Sequence, residues 1–136
     1  ADLRVVADDA RFCMRETSLG MVPDLDGTTA LVSAVGYSRA LEICATGRFV
    51  AADESVRLGL ATLAVPRDAL PEAVNDLVAA LLATPDAALR ELKPLLREAL
   101  THDRDVQLRR EREGQARLLR AMVSGGAGGA ARHTGE

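Results

Sequence analysis

Two carboxylates in one loop-rich stretch are the side chains best placed to do chemistry: Glu16 and Asp24, eight positions apart. Carboxylates held beside a reacting carbon can move protons or activate water as general acids and bases. Read alone, each has a plainer role. Glu16 lies in a strand-to-loop segment, where a single Glu is ordinarily a solvated surface group. Asp24 stands within Pro23-Asp24-Leu25-Asp26-Gly27, where a short acid can bond its own turn. Arg15 adjoins Glu16 and is expected to pair with it, favouring the ionised form. Other chemistries find little support. His102 and His133 lie far apart, and no cysteine–histidine set has metal spacing, so no metal site is expected. A phosphate-binding Gly-rich loop ahead of Lys-Ser/Thr is absent, as is a Gly-x-Ser-x-Gly elbow. Cys13 and Cys44, flanked as Phe-Cys-Met and Ile-Cys-Ala, read as two buried free thiols of a cytoplasmic protein.

The elements that must hold these residues follow from turn signals and periodicity. Residues 3–7 read as a strand ended by Asp8-Asp9, and Arg11–Met14 as a second extended piece. After the loop from Leu19 to Thr28, a helix is expected from Thr29 to Val35, capped by Asp26 or Thr28 and ended by Gly36. Ser38 should cap a second helix through Cys44, with Gly47 just past its end. A short helix from about Val50 closes at Gly59, and a strand, Leu60–Val65, stops at Pro66. This alternation predicts an α/β class. From residue 69 only helical patterns remain. Leu70, Val74, Leu77, Val78, Leu81 and Leu82 form one stripe. Leu89, Leu92, Leu95 and Leu96 form another, broken from the first at Thr84-Pro85-Asp86 and expected to kink or restart at Pro94. A third helix, about Asp103 to Val123, mixes Arg and Glu as a solvated, ion-paired face does. The expected organisation is therefore a core part at 1–66, a helical oligomerisation segment at 67–123 and a flexible Gly/Ala-rich tail at 124–136.

Composition narrows the partners. The 136 residues are 48% hydrophobic and 27% charged, the balance of a soluble globular protein. Aromatics are Phe12, Tyr37 and Phe49 alone, so Leu, Val and Ala must fill the core. A net charge of -3 gives no basic footprint for nucleic acid. No apolar run reaches a membrane span, so no membrane partner is expected. The chain opens at Ala1 and leads directly into Leu3-Arg4-Val5-Val6-Ala7, which looks like entry partway through a strand.

A resemblance runs through these pieces. Ala1-Asp2-Leu3-Arg4-Val5-Val6-Ala7, with Ala10-Arg11-Phe12, resembles a strand of the crotonase (enoyl-CoA hydratase/isomerase) family. Glu16-Thr17-Ser18-Leu19-Gly20-Met21-Val22-Pro23-Asp24-Leu25-Asp26-Gly27-Thr28 is similar to that family's Pro-Glu-x-x-Leu-Gly-x-x-Pro-x-x-Gly-Gly-Thr signature. Val35-Gly36, Ala40-Leu41-Glu42, Thr46-Gly47-Arg48, Gly59-Leu60 and Val65-Pro66 follow in the family's order. Each piece is weak alone, and their collinearity across residues 1–66 gives the resemblance its force.

The resemblance implies the second half of a crotonase-type spiral of short strands and helices, followed by a C-terminal helical segment. It implies an acyl-CoA thioester as substrate, no cofactor beyond its coenzyme A, and an enolate-like oxyanion held by two backbone N–H groups. Glu16 matches a catalytic Glu of the hydratases. Asp24 stands where dienoyl-CoA isomerases of the family carry a functional Asp. Leu19, Gly20, Pro23, Leu25 and Gly27 fall on the substrate-binding loop. The other Glu, the oxyanion donors and most CoA-binding loops are expected in a missing N-terminal half, leaving this chain inactive alone and prone to associate. A homo-oligomer, trimer or hexamer, is implied through the C-terminal helices. Departures are Arg15 for Pro, Asp24 for Gly, Asp26 for the first Gly of Gly-Gly-Thr, and a C-terminus where Glu113-Gly114-Gln115-Ala116-Arg117 only echoes the family's closing helix. The leading expectation is an enoyl-CoA hydratase. An enoyl- or dienoyl-CoA isomerase using Glu16 with Asp24, and a non-catalytic assembly partner, are the alternatives.

Overall fold

The structure, a computed structural model, describes residues 1–129. It divides into two units, Ala1–Ala79 and Ala80–Glu136. The first unit alternates short strands and helices, as expected for an α/β chain. Strand β1 (Val5–Ala7) pairs in parallel with β4 (Leu63–Val65), and β2 (Arg11–Phe12) pairs antiparallel with β3 (Val50–Ala51). Helices α1 (Gly27–Val35), α2 (Tyr37–Thr46) and α3 (Ala52–Leu58) fill the sequence between β2 and β4. The strands are shorter than the sequence patterns suggest. Arg4 extends the β1–β4 pairing without strand geometry: its carbonyl accepts the Thr62 N–H at 2.8 Å, and its guanidinium donates to the Leu60 carbonyl.

Leu31, Ala40, Ile43 and Val50 form the centre of the core, with Phe12, Met14, Val35, Cys44, Leu58 and Leu60 packed around it. The aliphatic filling expected from the scarcity of aromatics is what the unit shows. Period-two alternation that continues past β2, over residues 11–14, explains one correction. Phe12 and Met14 turn inward, so Cys13 between them is exposed, and only Cys44 is partly buried. Helix boundaries are set by glycine as expected: Gly47 and Gly59 end α2 and α3 in the left-handed conformation, at φ 60° and 82°. The starts differ. Asp26 occupies the N-cap position of α1 at φ 64° and makes no capping bond with its side chain; α2 starts at Tyr37, directly after Gly36, without a cap from Ser38.

Helix α4 (Leu70–Leu82) follows the stripe read from the sequence. In the second unit, α5 (Asp86–Glu98) and α6 (Arg104–Gly129) pack as a helical hairpin. Helix α5 runs through Pro94 without the restart that was one of the two expectations there. Ties to α6 hold it on both sides of the proline. Arg117 makes a two-pronged ion pair with Glu91 at 2.8 and 2.7 Å, and Arg110 makes another with Glu98 at 3.0 Å. Gln107 also donates to the Leu95 carbonyl at 3.0 Å. Gly114 is buried between these ties, and a Cβ there would stand 3.3 Å from Glu91 Oε2, so a side chain at that position would crowd the ion pair. The α6 backbone continues to Gly129, into the segment expected to be a flexible tail from residue 124. Residues 130–136 of that tail lie outside the described residues.

Candidate active site

Glu16 opens a single 3₁₀ turn, Glu16–Leu19, directly after β2. Gly20 ends the turn at φ 76°, its N–H bonding back to the Thr17 carbonyl at 3.1 Å, and the Met21 N–H bonds the Glu16 carbonyl at 2.9 Å. The glycine is required, because an L side chain at that φ is strained. The turn is seated on the C-terminal end of α2. Thr17 donates its hydroxyl to the Cys44 carbonyl. Gly47 is buried beneath it, and a Cβ there would stand 2.6 Å from Ser18 Oγ and 3.7 Å from the Met14 carbonyl.

This seat leaves Glu16 in an unusual state. The residue is half-buried, and its Oε2 is shut from solvent without any hydrogen-bond partner. Buried carboxylate oxygens are normally bonded, so an orphan demands a functional or structural reason. The neighbouring Arg15 does not supply a partner to that oxygen, contrary to the expected pairing. Its guanidinium lies 5.9 Å from the Phe49 ring centroid, on a ring that Arg11 approaches equally closely. The Glu16 charge instead reaches Cys44, whose thiol is pushed above its ordinary value first by burial and second by that carboxylate.

Asp24 and the loop around it take a different form. Asp24 is exposed, and its carbonyl accepts the Gly27 N–H at 2.9 Å, closing a turn whose central residues, Leu25 and Asp26, both have positive φ (51° and 64°). Asp tolerates that conformation and Leu does so poorly. The sequence departure at Asp26 thus falls on a backbone conformation that glycine adopts freely. Leu19, Val22 and Leu25 are 72%, 77% and 95% exposed, while Pro23 and Gly27 are half-buried. A Cβ at Gly27 would stand 2.9 Å from Met14 Cε, which ties the start of α1 to the residue two before Glu16. The loop therefore presents an apolar edge.

A second charged cluster was not read from the sequence. Arg48 bridges two carboxylates, Glu42 at 2.5 and 3.0 Å and Glu54 at 2.7 and 2.9 Å. Hydrogen bonding to Arg48 holds the Glu42 carboxyl down to about 2 and also lowers that of Glu54. Glu42 and Arg48 stand six apart across a helix end, so no helical spacing rule would pair them. Thr17, Cys44 and Gly47 were likewise invisible as one seat; only the helix-ending role of Gly47 had a sequence signal. Among the described residues no group of His, Cys, Asp and Glu could hold a metal ion, and no helix is long and apolar enough to cross a membrane.

The α/β frame holds a carboxylate at the start of a glycine-ended turn with an apolar loop after it. The chain belongs to the enoyl-CoA hydratase/isomerase family, whose model matches residues 1–126. Among curated relatives, the chain is 34% identical over 92 residues to the short-chain-enoyl-CoA hydratase of Clostridioides difficile, covering 68% of this chain and 59% of that one. A candidate enoyl-CoA hydratase of Thermobifida fusca YX, solved in complex with CoA, superposes with a TM-score of 0.85 at 44% identity, over 91% of this chain and 48% of that one. The enoyl-CoA hydratase of Mycobacterium smegmatis superposes with a TM-score of 0.80 at 30% identity, over 85% of this chain and 45% of that one. The chain thus spans about half the length of the relatives it matches. One expectation is corrected by these findings. The family match starts at the first residue and takes in nearly the whole chain, so the assignment to a C-terminal half with a missing N-terminal half as its partner is withdrawn.

Proposed function

We propose that the protein is an enoyl-CoA hydratase-like enzyme, adding water across the double bond of a 2-enoyl-CoA thioester. The observation that carries this is the buried, unpartnered Oε2 of Glu16 on a fixed turn, inside a chain of the enoyl-CoA hydratase/isomerase family. A carboxylate fixed on a turn and spared an ion pair can exchange a proton with a substrate. In the proposed step Glu16 acts as general acid/base. The water oxygen bonds to the β-carbon, electron density moves onto the thioester oxygen as an enolate-like oxyanion, and a proton reaches the α-carbon. No cofactor beyond the coenzyme A of the substrate enters this chemistry. Leu19, Gly20, Pro23, Leu25 and Gly27 are proposed to border the acyl chain, supported by the apolar edge that Leu19 and Leu25 present.

Asp24 is proposed as a turn residue and not a second catalyst, because its carbonyl closes the Asp24–Gly27 turn and its side chain is exposed. A homo-oligomer in the cytoplasm is proposed as the working form, supported by Val74, Val78, Leu81 and Leu82, which stay exposed along α4. Since the chain spans about half the length of its relatives, turnover is expected from the protein as the cell makes it and not from these residues alone. The test is its action on crotonyl-CoA. Loss of the enoyl thioester absorbance with formation of 3-hydroxybutyryl-CoA supports hydration. A moved double bond without hydroxylation would make it an isomerase, and a folded protein inert on enoyl- and dienoyl-CoA alike would make it a non-catalytic relative.

A further inference from the structure

The last turn of α2, like that of any helix, leaves carbonyls without an intrahelical donor, and that of Cys44 is among them. The N–H four residues on from Cys44 is that of Arg48, which already lies past the helix end. That N–H goes to Thr46 Oγ1 at 3.3 Å, while the Thr46 hydroxyl bonds the Glu42 carbonyl at 2.8 Å. The Cys44 carbonyl is thus left to Thr17, whose hydroxyl donates to it across 27 positions of sequence. Thr17 directly follows Glu16 in a turn of four residues, so the bond fixes the backbone that carries the carboxylate. On the other side of Glu16, Arg15 is drawn to the Phe49 ring and gives the turn no hold on its carboxylate.

We propose that Thr17 is a positioning residue for Glu16: its hydroxyl, bonded to the Cys44 carbonyl, fixes the turn that presents the carboxylate to substrate. The inference rests on the reading of Glu16 as the proton-transfer group. Nothing else among the turn's own side chains reaches α2 by a comparable hydrogen bond: the Ser18 hydroxyl faces Gly47, and Leu19 is exposed. A carboxylate shifted by a fraction of an ångström keeps substrate binding and loses the aligned proton transfer, so the effect should fall on kcat and spare KM.

The experiment compares Thr17→Val, which keeps the shape and removes the hydroxyl, with Thr17→Ser, which keeps the hydroxyl, on crotonyl-CoA. Thr17→Val is expected to lower kcat by about tenfold or more with KM changed less than about twofold, and Thr17→Ser to stay within about threefold of wild type. A second readout needs no turnover. In a Cys13→Ser background, iodoacetamide alkylation of Cys44 reports whether the Glu16 charge still stands near the thiol. Glu16→Gln should speed it, Thr17→Val should speed it in the same sense, and Thr17→Ser should not. Should Thr17→Val fail to melt cooperatively, Thr17→Ala carries the same comparison. Unchanged kcat and alkylation in the valine variant would overturn the inference, as would equal loss in the serine and valine variants. Loss of turnover in Glu16→Gln beside full turnover in Thr17→Val sinks the positioning role and leaves Glu16 standing. Full turnover in Glu16→Gln removes the underlying reading and this inference with it.

Discussion

Gly47 and Arg48 are adjacent in the chain and face two opposite treatments of a carboxylate. Beyond Arg48 lie Glu42 and Glu54, each held by two hydrogen bonds from one guanidinium. Beneath Gly47 lies the turn of Glu16, with one carboxylate oxygen buried and bonded to nothing. In the bridge every prong of the guanidinium is matched, and its effect is to lock the end of α2 to α3. In the turn the backbone is held from several directions while the acid group is spared a partner. The bridge carboxylates are satisfied by one guanidinium, and the Glu16 oxygen is not satisfied at all.

This contrast can be broken at either residue. Gly47→Ala should have the larger effect, because it forces an L residue to φ 60° and places a Cβ 2.6 Å from Ser18 Oγ. The left-handed conformation alone costs about 1–2 kcal/mol. Urea melts should show that loss, and turnover should fall with it as the Glu16 turn shifts; an alanine variant of wild-type stability and activity would show that the seat is not needed.

Arg48→Met should act on stability with a signature in pH. The Glu42 carboxyl lies at about 2 in the folded protein, below the ordinary carboxylate value, chiefly through its bond to Arg48. A folded-state value below the unfolded one contributes stability that is fully present above the unfolded value, about 4.3, and is lost as pH falls toward the folded one. Wild-type melting temperature should therefore decline between about pH 4.5 and 2, and the methionine variant should start lower and decline less over that range. Arg57→Met offers the smallest effect. Its partner Asp53 is an exposed neighbour one helical turn away, at 2.6 Å, and such pairs contribute little. A loss from Arg57→Met equal to that from Arg48→Met would mean that the bridge has no special place in the fold.

Sequence patterns carried the helices well where a stripe or a glycine marked them, as at α4 and at Gly36, Gly47 and Gly59. They carried the strands only as centres, because β1 and β4 end where their partner ends, and pairing is not a local property. The buried-thiol expectation failed at Cys13 because apolar neighbours on a strand point to the opposite face. On either side of Pro94, Glu91 and Glu98 meet Arg117 and Arg110, contacts that residue order does not announce. At the candidate site, Glu16 and its loop were singled out through resemblance to a family signature. Thr17, Cys44 and Arg48 were not, because their roles arise where the end of α2 meets two distant segments. The pairing of Arg15 with Glu16 was a fair local expectation, and the Phe49 ring, far along the chain, overrode it.

The most direct test of the account is crotonyl-CoA turnover by the protein as the cell makes it, wild type beside Glu16→Gln. The substitution keeps shape and removes the exchangeable proton, so kcat should fall by about a hundredfold or more while the protein still melts cooperatively. A Glu16→Gln protein that hydrates crotonyl-CoA at the wild-type rate would contradict the account, and would make the orphaned carboxylate oxygen a feature of the fold alone.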